Sequence, residues 1–310
     1  MNDNNIKGIA FITTLIFAIH PLNIESVAWI SAVKVLNYSF FYLLATLTYL
    51  TFLKKEKIVY YILTMILFVL SFGGKEQAVT FPVWLLLIYF ILGYDFKNRK
   101  NWIQIIPFFL IALFLGFITI NATKTYGITE DIYYSLWQRF VFGCYSLTEY
   151  FSKFFIPYKL LYIYPFPMPA GEQMPEWLLI YPPLLFIFIT LLIKQLLKRP
   201  YIYGILFFLI HIVITLHIIP LSRFAIVADR YIYLACIGLA FIVALFYLYI
   251  VNKYQKIRTL SNVILFCVFI YMGIYSNLRC REWINSNSIK KDFKEMIKTD
   301  KEPIKKETEN

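Results

Sequence analysis

Charged residues are scarce in this chain, where they make up 15% of 310 residues. Soluble globular domains carry about 25% charged residues. The shortage excludes an ordinary soluble enzyme, and it excludes a disordered chain, which needs many charges and few apolar residues. The chain has instead 60% hydrophobic and 20% aromatic residues. This composition indicates an integral membrane protein that crosses the bilayer many times.

Cysteine is scarce as well, with four residues that form no CxxC pair and no metal-ligand spacing. This excludes a disulfide scaffold, and we predict no metal site. The formal net charge of +12 could indicate nucleic-acid binding. However, the basic residues lie between apolar runs, so we interpret them as signals of membrane topology and predict no nucleic-acid partner.

Nine continuous apolar runs are candidates for transmembrane helices. A helix needs roughly 20 apolar residues to cross a hydrocarbon core of about 30 Å, whereas barrel strands alternate over about ten residues. We therefore predict an all-α polytopic protein, with a membrane domain over 1–276 and a polar outer-side tail over 277–310. The predicted spans are 8–20, 36–53, 58–73, 78–94, 102–121, 177–195, 201–219, 231–251 and 259–276.

Segment 132–155 differs from the nine runs because it carries Gln138, Arg139, Glu149 and Lys153 among aromatic residues. Burying each charge in the bilayer would cost about 3 kcal/mol on the insertion scale. We predict an amphipathic helix on the outer face, which either lies at the interface or re-enters from one side.

The basic residues are unequally divided between the two sides of the predicted bundle. If the N-terminus is inside, the inner segments hold 13 basic and 3 acidic residues, and the outer loops hold 8 of each. Because cytoplasmic loops carry excess Lys and Arg, we predict that the N-terminus is inside and the C-terminus outside.

The outer ends of the predicted helices carry most of the unusual polar residues. Taken singly, each is a solvated loop charge or an interfacial ion pair. Taken together, arginine and lysine suit a phosphate, and tyrosine and tryptophan suit sugar faces. This chemistry matches a lipid-linked sugar phosphate. The residues are His20, Glu25, Lys34, Lys75, Glu76, Arg223, Asp229, Arg230 and Tyr231.

Three segments resemble one family: FAIHPLNIESVAWISAVK at 17–34, GGKEQAVTFPVWLLLIYF at 73–90 and AIVADRYIYLACIGL at 225–239. They are similar to the transmembrane and tetratricopeptide-repeat O-mannosyltransferases and their bacterial homologues, which are GT-C type glycosyltransferases. Segment 135–167 resembles the family's middle segment. The resemblance covers residues 8–285 and implies a GT-C-like core in the bacterial inner (plasma) membrane.

The resemblance also implies an activity, which is transfer of a mannose-type sugar from a polyprenyl-phosphate donor to the hydroxyl of a protein acceptor. No cofactor is implied beyond this donor substrate. One carboxylate acts as general base, and basic residues hold the lipid phosphate as leaving group. The phosphate candidates are Lys75, Arg223 and Arg230. The base candidates are Glu25, Glu76 and Asp229, and His20, Lys34 and Tyr231 line the site.

The chain departs from the family pattern at both ends. The helices that precede the His20-Pro21 segment, the acidic pair of the first outer loop and the C-terminal repeats have no counterpart in this sequence. Three explanations stay open: a fragment of a longer enzyme, which we favour, a non-catalytic homologue, or an enzyme that uses another carboxylate. A scaffold and a transporter of lipid-linked sugars are the alternative functions.

Overall fold

The computed structural model describes residues 3–125, 134–161, 163–217, 225–285 and 288. These parts of the chain are mainly helical, with short turns, a longer irregular connection after Phe155 and one isolated β-bridge between Tyr164 and Val227. The α-helices are α1 (Asp3–Ile19), α2 (Ile24–Ala28), α3 (Val33–Lys55), α4 (Ile58–Gly74), α5 (Phe81–Leu92), α6 (Arg99–Thr125), α7 (Leu136–Phe155), α8 (Tyr181–Leu196), α9 (Tyr201–Ile212), α10 (Cys236–Lys253) and α11 (Arg258–Glu282).

Five helical segments in the described part are long and apolar enough to cross a membrane, as expected of an integral membrane protein. A sixth is counted if the pair Asp3–Ile19 and Pro21–Ala28, bent by 54°, is one span. The five are Ile30–Lys55, Arg99–Ala122, Glu176–Gln195, Cys236–Lys253 and Gln255–Glu282.

The predicted total of nine spans is therefore met only in part. Each predicted run is largely helical, but three coincide with shorter apolar helices. These are Ile58–Gly74, Glu76–Leu92 and Tyr201–Thr215. Segment 132–155 contains α7, which is not among the candidate spans.

Local sequence signals explain several helix ends. Helix α7 begins with a capping box, in which Ser135 and Gln138 satisfy each other's backbone N–H groups, and it ends just before Pro157. Helix α5 ends at Gly93, which adopts the left-handed conformation that closes a helix. Helix α3 ends in the same way at Glu56, directly after Lys54 and Lys55.

The helices pack around two adjoining apolar clusters. One cluster joins α1, α7, α9 and α10, and the other joins α3, α4, α5 and α6. Glycines allow close backbone approach, as at Gly204 of α9 against Gly238 of α10. Helices in lipid associate through such close packing, because lipid tails are as apolar as leucine and the hydrophobic effect favours neither contact.

Several connections meet at one end of the bundle. The segment from His20 to Ala32 contacts the turn at Asp229–Tyr231 and the last turns of α11. Ser276 of α11 donates a hydrogen bond to the carbonyl of Ile19 (2.7 Å), and the rings of Trp29 and Trp283 lie 5.6 Å apart. Helix α11 runs to Glu282, past the predicted end at 276, and so brings its C-terminal residues into this end.

Candidate functional site

A carboxylate–arginine pair joins α2 to the turn at Asp229–Tyr231. The side chain of Glu25 is 1% exposed, and its carboxylate accepts hydrogen bonds from the backbone N–H of Arg230 (2.7 Å) and from its guanidinium Nη1. Burial works to lower the pKa of Arg230, but the Glu25 carboxylate overrides this effect and the pKa is raised. The guanidinium therefore stays charged and held in one orientation.

Two cations lie against the ring of Tyr231. The guanidinium carbon of Arg230 lies 5.0 Å from the ring centroid, and Nζ of Lys75 lies 4.8 Å from the same centroid. Arg230 also lies 5.3 Å from the ring centroid of Trp29. Cation–π attraction holds both charges against aromatic faces. Lys75 is buried and Arg230 is partly exposed, so the two cations and the aromatic rings form a largely buried site suited to an anion that carries an apolar or sugar group.

A second ion pair lies beside the first and is fully buried. Arg279 Nη2 donates to Asp229 Oδ2 (3.1 Å), and both side chains are 0% exposed. The Tyr164 hydroxyl donates to Oδ1 (3.1 Å), and Arg279 Nη1 donates to the carbonyl of Leu160 (2.5 Å). Burial raises the pKa of Asp229, and Arg279 opposes the rise. We call Glu25, Asp229, Arg230 and Arg279 the ion-pair cluster.

His20, predicted to line the site, is a buried connector. Its Nδ1 accepts from the backbone N–H of Leu22 (3.2 Å), so Nε2 carries the proton and donates to the carbonyl of Phe154 (3.0 Å). Its ring stacks on Phe154 at 4.8 Å. His20 therefore fixes the end of α1 against α7, and both of its nitrogens are used.

The remaining predicted residues are placed differently. Glu76 is partly exposed, next to Lys75, and Lys34 is exposed at the start of α3. The ion pairs among the described residues include neither of them. Arg223 lies outside the described residues. The structure thus brings together Glu25, Lys75, Arg230 and Tyr231, with Asp229 adjacent.

Two residues at this end of the bundle are not among the predicted site residues. Arg279 lies in the predicted polar tail, but Met272, Ser276 and Arg279 are buried at helical spacing on one face of α11. Continuing that period past 276 would have found it. Lys153, which pairs with Glu149 and lies 4.6 Å from the ring centroid of Tyr164, has no comparable signal.

The arrangement limits what each carboxylate can do. Glu25 and Asp229 are buried and each carboxylate is held in an ion pair with an arginine, so a role as base would compete with that pairing. Glu76 is the base candidate that keeps some exposure. Within the ranges that the structure describes, no group of three or more His, Cys, Asp or Glu side chains could hold a metal ion.

A scan against protein-family models and searches of curated proteins and solved structures found no match. The fold and the site therefore define a class only: a helical protein with helices able to span a membrane and an ion-pair cluster at one end of its bundle.

Proposed function

We propose that this chain binds a polyprenyl-phosphate sugar at the ion-pair cluster and transfers the sugar, as a glycosyltransferase with a GT-C-like core. The observation that carries the proposal is the contact of both Arg230 and Lys75 with the ring of Tyr231. The site is on the outer face of the bacterial inner membrane, the N-terminus is inside, and nine helices cross the bilayer. The sugar is of mannose type and the acceptor is a protein hydroxyl.

The chemistry follows from the charges. The acceptor oxygen attacks the anomeric carbon of the sugar, and the bond from that carbon to the phosphate oxygen breaks. The phosphate leaves with the electron pair, and Arg230 and Lys75 stabilise its developing charge. Glu76 takes the proton from the acceptor hydroxyl. Trp29 and Tyr231 supply aromatic faces for the sugar ring.

A second candidate is a protein that binds the same lipid without catalysis. The commitment of Glu25 and Asp229 to Arg230 and Arg279 favours it, because two of the three candidate bases are then occupied. Both functions require Arg230 for binding of the lipid phosphate, but only the transferase also transfers the sugar to an acceptor.

The test uses purified chain and a radiolabelled polyprenyl-phosphate mannose, with transfer to an acceptor peptide and lipid binding measured separately. Arg230→Gln alone would leave Glu25 buried without its charge partner. The variant to use is therefore Glu25→Gln with Arg230→Gln, which keeps hydrogen-bonding groups and removes both charges. The matched control is Arg281→Gln, an exposed arginine on the last turn of α11.

We expect binding to fall roughly tenfold or more in the double variant, since one charge-assisted hydrogen bond contributes about 1.5–3 kcal/mol. The control should bind as the unaltered chain does. Transfer that is lost in Glu76→Gln, with binding retained, supports the transferase. Binding without transfer supports the non-catalytic candidate. Absence of Arg230-dependent binding overturns both.

A further inference from the structure

Helices α7 and α8 enclose an apolar groove that the ion-pair cluster does not use. Its first part has a volume of about 330 Å³ and is lined by Arg139, Gly143, Cys144 and Leu147. Its second part, of about 210 Å³, is lined by residues such as Phe151, Phe155 and Phe188. Leu185 lines both parts, which therefore adjoin, and we call them together the α7–α8 groove.

The two faces of α7 have different surroundings. On one face, Ser146 donates to the carbonyl of Ile226 (3.1 Å), and Phe154 stacks on His20 next to the ion-pair cluster. On the other face, Leu147 and Phe151 line the groove. The walls are almost wholly apolar, and the combined volume falls in the range of about 300–1,000 Å³ that is usual for ligand sites. This surface suits a hydrocarbon chain.

One fixed cation lies in this apolar groove. Arg139 is partly exposed, and its Nε donates to the carbonyl of His217 (3.0 Å), which holds the guanidinium beside the groove near the start of α7. The ion pairs of the described residues do not include Arg139. A guanidinium with further N–H donors next to an apolar groove matches a phosphate group attached to a hydrocarbon chain.

We propose that the α7–α8 groove binds an acyl chain of an anionic phospholipid, with the phosphate of its headgroup at Arg139. This lipid is distinct from the sugar donor of the proposed function. Arg139 and Phe154 are fifteen residues apart on α7, which is about 22 Å along a helix. The headgroup site is thus far from the end of α7 that contacts His20. The lipid would stabilise the packing of α7 against α8, and so the contact of Phe154 with His20 beside the ion-pair cluster.

The test is native mass spectrometry of the full chain in detergent, with phosphatidylglycerol or phosphatidylcholine added at equal concentration. Arg139→Gln removes the charge, and Leu185→Trp fills the place where the two parts of the groove meet. The matched control is Lys194→Gln, an exposed cation in the last turn of α8. We expect at least tenfold less bound phosphatidylglycerol in Arg139→Gln and in Leu185→Trp, and no change in the control.

A second measurement covers the case in which Leu185→Trp fails to fold. In a chain with Cys267→Ser and Cys280→Ser, phosphatidylglycerol should slow the reaction of Cys144, which lines the groove, with an uncharged maleimide. Equal protection by phosphatidylcholine would overturn the role of Arg139. Absence of protection by either lipid would overturn the site. The Glu25→Gln and Arg230→Gln double variant should still bind phosphatidylglycerol, and its loss there would overturn the separation of the two lipid sites.

Discussion

At the scale of single residues, two neighbours in the chain serve two different partners. Asp229 binds Arg279 of α11, and Arg230 binds Glu25 of α2. Such buried pairs contribute little net stability because desolvation offsets their attraction, but removing one partner costs about 3–5 kcal/mol. The main effect of the cluster is therefore to fix the orientation of Arg230 and Tyr231, and its contribution to net stability is small.

The Arg279→Met variant should show a pH-dependent loss of stability. Burial raises the pKa of Asp229 above its ordinary value of 3.8, and Arg279 opposes that rise, so removing Arg279 raises it further. The folded state then binds the Asp229 proton more tightly than the unfolded state does. The free energy of unfolding therefore falls as the pH rises from the pKa of Asp229 in the unfolded state to its pKa in the folded state. The loss relative to the unaltered chain should be greater at pH 8 than at pH 5.

Thermal unfolding in detergent at the two pH values measures this difference. Adding Asp229→Asn to Arg279→Met removes the titrating group and should abolish the pH dependence. An equal loss at both pH values in the single variant would contradict the buried ion pair.

Part of the site is predictable from the sequence at this scale. Glu25, Lys75, Arg230 and Tyr231 were singled out because they lie at predicted helix ends on one side, and the structure brings them together. Their pairing was not predictable, since Glu25 and Arg230 are 205 positions apart and no local pattern links them. Asp229, one of three base candidates, is bound to Arg279, and this pairing was not predictable either.

At the scale of helices, the antiparallel pair α9 and α10 depends on two glycines. A Cβ atom on Gly238 would lie 2.5 Å from the carbonyl oxygen of Gly204 and 2.9 Å from the backbone nitrogen of Phe208. Both atoms belong to the backbone, so they cannot move aside as a side chain can. The close approach of these helices positions the turn at Asp229–Tyr231, which lies just before α10.

Gly238→Ala should therefore destabilise the protein by about 1–3 kcal/mol, the usual cost of overpacking. Gly273→Ala is the matched control, because a Cβ there meets nothing within 4 Å and alanine is the better helix residue by about 0.5–1 kcal/mol. Denaturant unfolding of both variants in detergent measures the contrast. An equal change in the free energy of unfolding in both variants would contradict the close contact between α9 and α10.

The helices also show what hydropathy can and cannot predict. All nine apolar runs are largely helical, yet several are shorter than predicted. The run 231–251 begins in a 3₁₀ turn, and α10 starts only at Cys236. Ile232, Leu234 and Ala235, which precede α10, are buried in the protein interior and do not face lipid. Their apolar character therefore extended the predicted span beyond the helix. Hydropathy reports burial and does not distinguish protein interior from bilayer.

At the scale of the whole molecule, the two ends of the bundle differ in chemistry. One end holds the ion-pair cluster with its aromatic rings. Segments such as 54–57 and 95–100 meet at the other end, where Lys100 and Glu56 form an exposed pair at 3.8 Å. Exposed pairs of this kind contribute little to stability. In the proposed orientation, the end with the cluster faces outward and the end with these basic segments faces inward.

Labelling of cysteines in intact cells tests this orientation. Cys280 is exposed near the end that carries the cluster, and we expect it to react with a membrane-impermeant maleimide from outside. A Lys100→Cys variant, with the native cysteines replaced, should react only after permeabilisation. The reverse pattern would place the cluster on the inner side and overturn the outer-face site.

The partners of the turn at Asp229–Tyr231 come from distant parts of the sequence, and this has a consequence for biosynthesis. Arg230 is synthesised 205 residues after Glu25, and Arg279 is synthesised later still. During that interval the Glu25 carboxylate has no charge partner in the growing chain from this turn. The cluster can close only after α11 has been synthesised. An insertase or chaperone that shields the helices made before α11 would act before the cluster closes.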